Sequence, residues 1–394
     1  MTQSYLAKQV QDIKPSGIRK FFDLASKMDN VISLGVGEPD FVTPWNVIEA
    51  SYHSLEQGYT AYTANAGLLE LREEISKYLY ETFDISYNPE TQLLVTVGAS
   101  QAIDVALRTI LDQGDEVIIV EPCFVSYGPA VSLAGGVPVS VSATADNAFK
   151  ITPEQVEAAI TPRTKAIVMC SPNNPTGAVL SKKELTAVAK VIEKHDLVVL
   201  SDEIYAELSY DELASSMAVI EGMKERTIVI SGFSKAFAMT GWRLGYVAGP
   251  VEILAAMTKI HQYTIMCAPT MAQHGALEAL RNGNESVKEM KTSYRQRRNF
   301  VVKALNEMGL SCHLPGGAFY VFPSIQSTGF SSEEFAQRLL EEERVAVVPG
   351  HVFGESGEGY IRCSYATSIK QLDEAMKRMK RFVKRHSKTN EPTV

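Results

Sequence analysis

Four places in the chain combine chemically capable residue types with a spacing that could bring them together. Lys235 closes the run Ser231-Gly-Phe-Ser-Lys235, Asp202 and Tyr205 share Asp202-Glu-Ile-Tyr205, Asn174 sits in Ser171-Pro-Asn-Asn174-Pro-Thr-Gly177, and Gly98-Ala99-Ser100 opens a helix-like stretch. Each follows a short run rich in Val, Ile and Leu: Thr227-Ile230, Leu197-Ser201, Ala166-Met169 and Leu93-Val97 respectively. Such runs read as strands of a parallel sheet, and open parallel sheets bind ligands beyond the carboxyl ends of their strands. The set supplies an amine, a carboxylate with a phenol, an amide, and a helix start whose backbone N–H groups suit an anion.

Pyridoxal phosphate makes use of all four, because it joins an aldehyde, a phenolic oxygen, a pyridine nitrogen and a phosphate in one molecule. Lys235 would condense with the aldehyde as a Schiff base that later passes to an amino acid. Asp202 would face the pyridine nitrogen and favour its protonated, electron-withdrawing form. Tyr205 and Asn174 would hydrogen-bond the phenolic oxygen. Ala99, Ser100, Ser234 and Arg243 would converge on the phosphate; Ser231 is the alternative to Ser234, and Ser234 is preferred.

The run Gly232-Phe-Ser-Lys235-Ala-Phe-Ala-Met-Thr-Gly-Trp-Arg243-Leu-Gly245 resembles the cofactor-attachment signature of the class I/II aminotransferases, the aspartate aminotransferase family of fold type I. Gly37-Glu-Pro-Asp40, Tyr62-Thr-Ala-Asn-Ala-Gly67 with Leu71-Arg72, Ser-Pro-Asn-Asn174-Pro-Thr-Gly177, Asp202-Glu-Ile-Tyr205, Gly316-Gly-Ala-Phe-Tyr320 and Arg362-Cys-Ser-Tyr365 resemble further family motifs, in family order, from about Lys14 to about Met379. The resemblance implies pyridoxal 5'-phosphate as cofactor and a mostly parallel seven-stranded sheet in a large α/β unit beside a smaller α+β unit. It also implies that Lys235 is both the attachment point and the group that moves the substrate Cα proton. Arg362 would grip the substrate α-carboxylate with help from Asn174 and the backbone of Gly37, and Phe124 would stack on the ring. Tyr62 would reach the phosphate of a partner subunit, which implies a homodimer with shared active sites.

The elements that must position these groups are legible in part. Between about Leu93 and Ala248, candidate strands Leu93-Val97, Glu116-Val120, Ala166-Met169, Leu197-Ser201, Thr227-Ile230 and Gly245-Ala248 alternate with amphipathic stretches, as βαβ units do. Ser181 with Glu184 reads as a capping box, and Thr152-Pro153 as an N-cap followed by Pro at the first helical position. Beyond about Asn284 the pattern changes to a charged helix, Val287 to Met308, then strand-like Ala318-Phe322, helix-like Ser331-Glu342, and strand-like Val345-Val348 and Tyr360-Ser364. The expected organisation is an N-terminal segment over 1–40 packing with the small unit, a large cofactor-binding unit over 41–284 and a small unit over 285–394.

At 394 residues the chain exceeds what one core usually supports, and 45% hydrophobic with 21% charged residues is ordinary globular composition. A net charge of -8 argues against nucleic-acid or anionic-membrane partners. The basic stretch Lys377 to Lys388 reads as a last helix fraying into solvent. Five scattered cysteines without metal spacing read as reduced thiols, and Met1 to Val10 lacks a signal-like apolar core, so a cytoplasmic address is expected.

Taken singly, each residue has a plainer explanation. Asn-Pro-Thr-Gly is turn chemistry, an isolated Lys is usually a solvated charge, Arg243 and Arg362 could be ion-pair partners, and Tyr62, Tyr205 and Phe124 could be core or rim aromatics. Their joint occurrence at successive strand ends outweighs those readings. Gly35-Val-Gly37 lacks the third glycine of a dinucleotide fingerprint, and Gly232-Phe-Ser234-Lys-Ala236 lacks the last glycine of a hydrolase elbow. Transamination with 2-oxoglutarate as the usual acceptor is the leading activity; a carbon-sulfur β-lyase, a non-catalytic relative and a hydrolase are the alternatives. Some family members specialised for dicarboxylates carry a Lys at the place Ser100 takes here, which speaks against an acidic substrate; the resemblance puts Ile18-Arg-Lys-Phe-Phe22 near the site, and its aromatics imply an aromatic or broad amino-donor range.

Overall fold

A computed structural model describes residues 5–15, 17 and 26–386. After a short strand β1 (Ile32–Ser33), the chain builds β2 (Leu93–Thr96), β3 (Glu116–Glu121), β4 (Val137–Ser142), β5 (Thr164–Cys170), β6 (Val198–Asp202), β7 (Thr227–Gly232) and β8 (Gly245–Ala248). The C-terminal third adds β9 (Tyr320–Val321), β10 (Val345–Ala346), β11 (Val348–Pro349) and β12 (Ile361–Ser364). Strands β2 to β8 form one sheet in the order β2-β8-β7-β6-β5-β3-β4, parallel except for β8, which runs against both its neighbours.

Alternation along the strands explains why helices cover both faces. Ala166 and Val168 of β5 join the core beneath the helices Gly98–Ile110 and Val251–Thr264, while Ile167 and Met169 join the core beneath Lys182–Lys194. Strands buried on both faces read as near-continuous apolar runs, which is why five of the six expected β-runs correspond closely and Gly245–Ala248 corresponds residue for residue. The strand missing from that set is β4, where Val137, Val139 and Val141 alternate with Pro138, Ser140 and Ser142 instead of forming a continuous apolar run. It lies at the sheet edge, is largely exposed and contains Pro138, a residue that edge strands tolerate because one row of backbone N–H groups has no partner strand.

Both expected helix starts carry full capping boxes: Ser181 with Glu184, and Thr152 with Gln155. The C-terminal elements also form, with one difference of detail. The run Val345-Val348 divides, so that β10 pairs in parallel with β1 while β11 joins a three-stranded antiparallel sheet with β12 and β9. The basic terminal stretch does not simply fray. Within the helix Ile369–His386, Leu372, Ala375, Met376, Met379, Phe382 and Val383 are buried, and the charges line only its outer face. An amphipathic stripe outweighed the basic composition. Among the described residues no helix is long and apolar enough to cross a membrane, no cluster is suited to a metal ion, and the five cysteines are free.

Candidate active site

Strand register brings the chemistry to one edge of the sheet. Cys170 at the end of β5 lies opposite Asp202 at the end of β6, and Asp202 lies opposite Ile230 of β7. Gly245, the first residue of β8, faces Thr96 of β2 on one side and Gly232 of β7 on the other. The loops that follow β2, β5, β6 and β7 therefore open on the same side. They line a cavity of about 720 Å³, within the size range of small-molecule sites.

Gly37, Ala99, Ser100, Phe124, Asn174, Asp202, Tyr205, Ser234, Lys235, Arg243 and Arg362 all line this cavity. Ser234 is among them, whereas Ser231 does not line the cavity and its hydroxyl approaches the Glu203 carbonyl at 3.5 Å. Tyr62 does not line it: its side chain is 80% exposed, on the outside of the molecule. Ile18-Arg-Lys-Phe-Phe22 lies outside the described residues.

Lys235 Nζ donates to the Gly37 carbonyl at 2.7 Å. Burial lowers its pKa from 10.5 to about 8; Glu38 and Asp202 oppose the drop, while Arg362 and Arg243 add to it. Asp202 is buried and accepts from Tyr127 Oη at 2.6 Å and from the Ile204 N–H at 3.2 Å. Burial nevertheless raises its pKa, with the Tyr127 bond the largest opposing influence. Tyr205 Oη and Tyr320 Oη lie 3.0 Å apart. Phe124 stands edge-on to Tyr127, their centroids 5.8 Å apart.

Arg362 is buried, with its guanidinium between the rings of Tyr320 and Phe353, 4.5 and 4.9 Å from their centroids. One Nη donates to Asn174 Oδ1 at 2.9 Å and the other to the Gly35 carbonyl at 2.7 Å, while Nε is buried without a partner. A buried guanidinium with an unsatisfied N–H is costly in isolation and is suited to an incoming carboxylate. Elsewhere in the lining, the helix Gly98–Ile110 has no capping side chain. Gly98 holds a φ of +74°, and a Cβ there would come within 2.9 Å of the Arg243 guanidinium. Uncapped backbone N–H groups beside an arginine form an anion cradle that a side chain at position 98 would fill. These features fit pyridoxal phosphate: a cradle for its phosphate, a carboxylate for its ring nitrogen and an amine of lowered pKa for its aldehyde.

Several lining residues carry no role in the sequence reading: Glu38, Tyr127, Cys170, Thr240 and Tyr320. Glu38 and Tyr320 belong to quoted motifs, and Tyr127, three positions beyond Phe124, opens the helix Tyr127–Leu133 that follows the loop after β3. The contact between Tyr127 and Asp202, 75 residues apart in sequence, has no local signal.

A family model described as aminotransferase class I and II matches residues 29–379. The Bacillus subtilis protein YugH, assigned as an aminotransferase without a stated substrate, is 68% identical over 96% of this chain and 98% of its own length. Aromatic-amino-acid aminotransferase 2 of Thermococcus litoralis is 47% identical, with 96% and 98% covered. The structure of Thermus thermophilus aspartate aminotransferase with maleate superposes with a TM-score of 0.92 at 41% identity, covering 96% of this chain and 100% of that one. All three are named for transamination, and the β-lyase alternative gains no support from them. Cavity and kinship agree: the chain belongs to the class I and II aminotransferases, enzymes that use pyridoxal 5'-phosphate.

Proposed function

We propose that this transaminase moves the amino group of an L-amino acid, with an aromatic or broad side-chain range, to a 2-oxo acid such as 2-oxoglutarate, using the residue roles below. The observation that carries the roles is that an amine of lowered pKa, Lys235, shares one cavity with a buried arginine whose Nε has no partner. When bound, pyridoxal phosphate supplies an aldehyde that takes up the amino group and a ring that draws off the electron pair left at the substrate Cα.

Lys235 would hold the aldehyde end and, once freed by the incoming amino group, carry the proton to and from the substrate Cα. A depressed pKa suits that duty, since a base works best when neutral near the working pH. Asp202 would keep a proton on the ring nitrogen; a cation placed there would counter the effect of burial and hold the carboxylate ionised. Tyr205 and Asn174 would contact the phenolic oxygen, Phe124 the ring face, and Ala99, Ser100, Ser234 and Arg243 the phosphate. Arg362 would orient the α-carboxylate beside Asn174 and Gly37, its own direction fixed by the two flanking rings.

The proposal extends to a homodimer in which Tyr62 serves the partner's phosphate, to cytoplasmic residence, and to the division 1–40, 41–284 and 285–394. Val42, Trp45, Tyr62 and Tyr263 are each more than 70% exposed, an apolar display that a second copy of this chain would cover. The Ser100 side chain brings no cation to the cavity, and the relatives include both aromatic and aspartate aminotransferases. Lys235→Ala is expected to abolish nitrogen transfer; a variant as active as the parent overturns the assignment. A panel of donors with 2-oxoglutarate tests the range, and faster turnover of aspartate than of phenylalanine or tyrosine overturns the aromatic preference. Light scattering at assay concentration tests the dimer.

A further inference from the structure

The turn that opens the anion cradle is held from behind by two residues that do not belong to the residue roles above. The Val97 N–H donates to Gln101 Oε1 at 2.6 Å, and Gln101 Nε2 lies 2.9 Å from His261 Nδ1. His261 is fully buried on the neighbouring helix Val251–Thr264, beside the backbone of Asn65.

We infer that Gln101 and His261 are positioning residues for the phosphate-binding turn Gly98–Ser100. A helix usually ties down its start with an N-cap side chain that consumes one of the first free N–H groups. Here the N-cap position is Val97, which has no side chain able to do so. Gln101 instead reaches back to the N–H of Val97 itself, outside the helix, so the turn is fixed while the donors of Ala99 and Ser100 stay available to an anion. The direction of the Gln101 amide decides whether this works. If its NH₂ group faced Val97, two donors would oppose each other. His261 settles the direction: its Nδ1, as the unprotonated ring nitrogen, accepts from Nε2 and leaves Oε1 for Val97. Burial, which lowers the His261 pKa, favours the neutral ring this requires.

The inference rests on the phosphate residing at Gly98–Ser100, and the test separates the two. Dissociation constants are measured on the full-length protein for pyridoxal phosphate and for pyridoxal, which lacks the phosphate, with melting temperature monitored alongside. The parent should bind the phosphate form far more tightly; no such preference in the parent would sink the phosphate-site reading itself. Gln101→Leu should shrink the preference on the order of tenfold, the worth of one or two neutral hydrogen bonds, by weakening pyridoxal phosphate and leaving pyridoxal unchanged. His261→Leu should act in the same direction, and His261→Gln, which can still accept from Nε2, should recover most of the loss. The inference is overturned if Gln101→Leu keeps the parental preference, if both ligands weaken equally as a merely structural role would require, or if His261→Gln and His261→Leu behave alike. Should Gln101→Leu fold poorly, the His261 pair decides alone.

Discussion

The lowered pKa of Lys235 makes a quantitative demand on how the protein takes up its cofactor. Only the neutral amine can attack the aldehyde. At pH 7 an amine of pKa 10.5 is neutral about once in 3,000 molecules, whereas at a pKa of about 8 roughly one in eleven is neutral, a gain of about 300-fold that comes mainly from burial. Mixing apoprotein with pyridoxal phosphate in a stopped-flow spectrometer between pH 7 and 10 should give a capture rate that rises with pH and levels off near 8 to 9. Glu38→Gln sharpens the test, because the Glu38 carboxylate is the largest influence holding the pKa up, and glutamine can still accept the Thr240 hydroxyl, 3.2 Å from Glu38 Oε2. The variant should capture faster at pH 7, with its plateau reached at lower pH. The same shift carries a stability sign. The folded value lies below the unfolded one, so between about 8 and 10.5 the unfolded apoprotein binds more protons, and this group's contribution to stability improves as pH rises through that window. A capture rate still climbing steeply at pH 10, or one insensitive to Glu38→Gln, would refute the reasoning.

Three further outcomes follow from the contacts. Asp202→Asn can keep the Tyr127 and Ile204 bonds yet cannot hold a ring proton, so kcat should fall by about 10²-fold or more with the cofactor still bound, read from steady-state rates and the retained visible absorbance. Tyr127→Phe removes the strongest influence opposing the raised Asp202 pKa; that pKa should rise further, moving the acid limb of the kcat profile to higher pH, and an unmoved limb would deny Tyr127 its role. Arg362→Lys loses the fork geometry, the Asn174 and Gly35 anchors and the stacking between Tyr320 and Phe353, so KM for the amino donor should rise by about 10- to 100-fold, measured across two donors of different side chain to show that the loss lies in the shared carboxylate.

Much of this protein is legible in its sequence. Strands buried on both faces announce themselves as apolar runs, so β2, β3, β5, β6, β7 and β8 could be read directly, and the strand-end rule then collected Lys235, Asp202, Tyr205, Asn174 and the Gly98-Ala99-Ser100 turn. What was not read locally was β4, whose Val137, Val139 and Val141 alternate with Pro138, Ser140 and Ser142 at the sheet edge instead of forming a continuous apolar run, and the terminal helix Ile369–His386, whose charge hid its buried stripe.

Residue types and their order along the chain determined which groups are available and that they sit at strand ends. Only the tertiary structure decided how those groups are tuned. The pairing of Tyr127 with Asp202, the enclosure of Arg362 between Tyr320 and Phe353, and the Gln101–His261 brace join segments far apart in sequence. The burial that lowers the Lys235 pKa and raises that of Asp202 is a property of the whole packed cavity, because desolvation depends on everything that surrounds a charge and no short stretch of sequence contains that information.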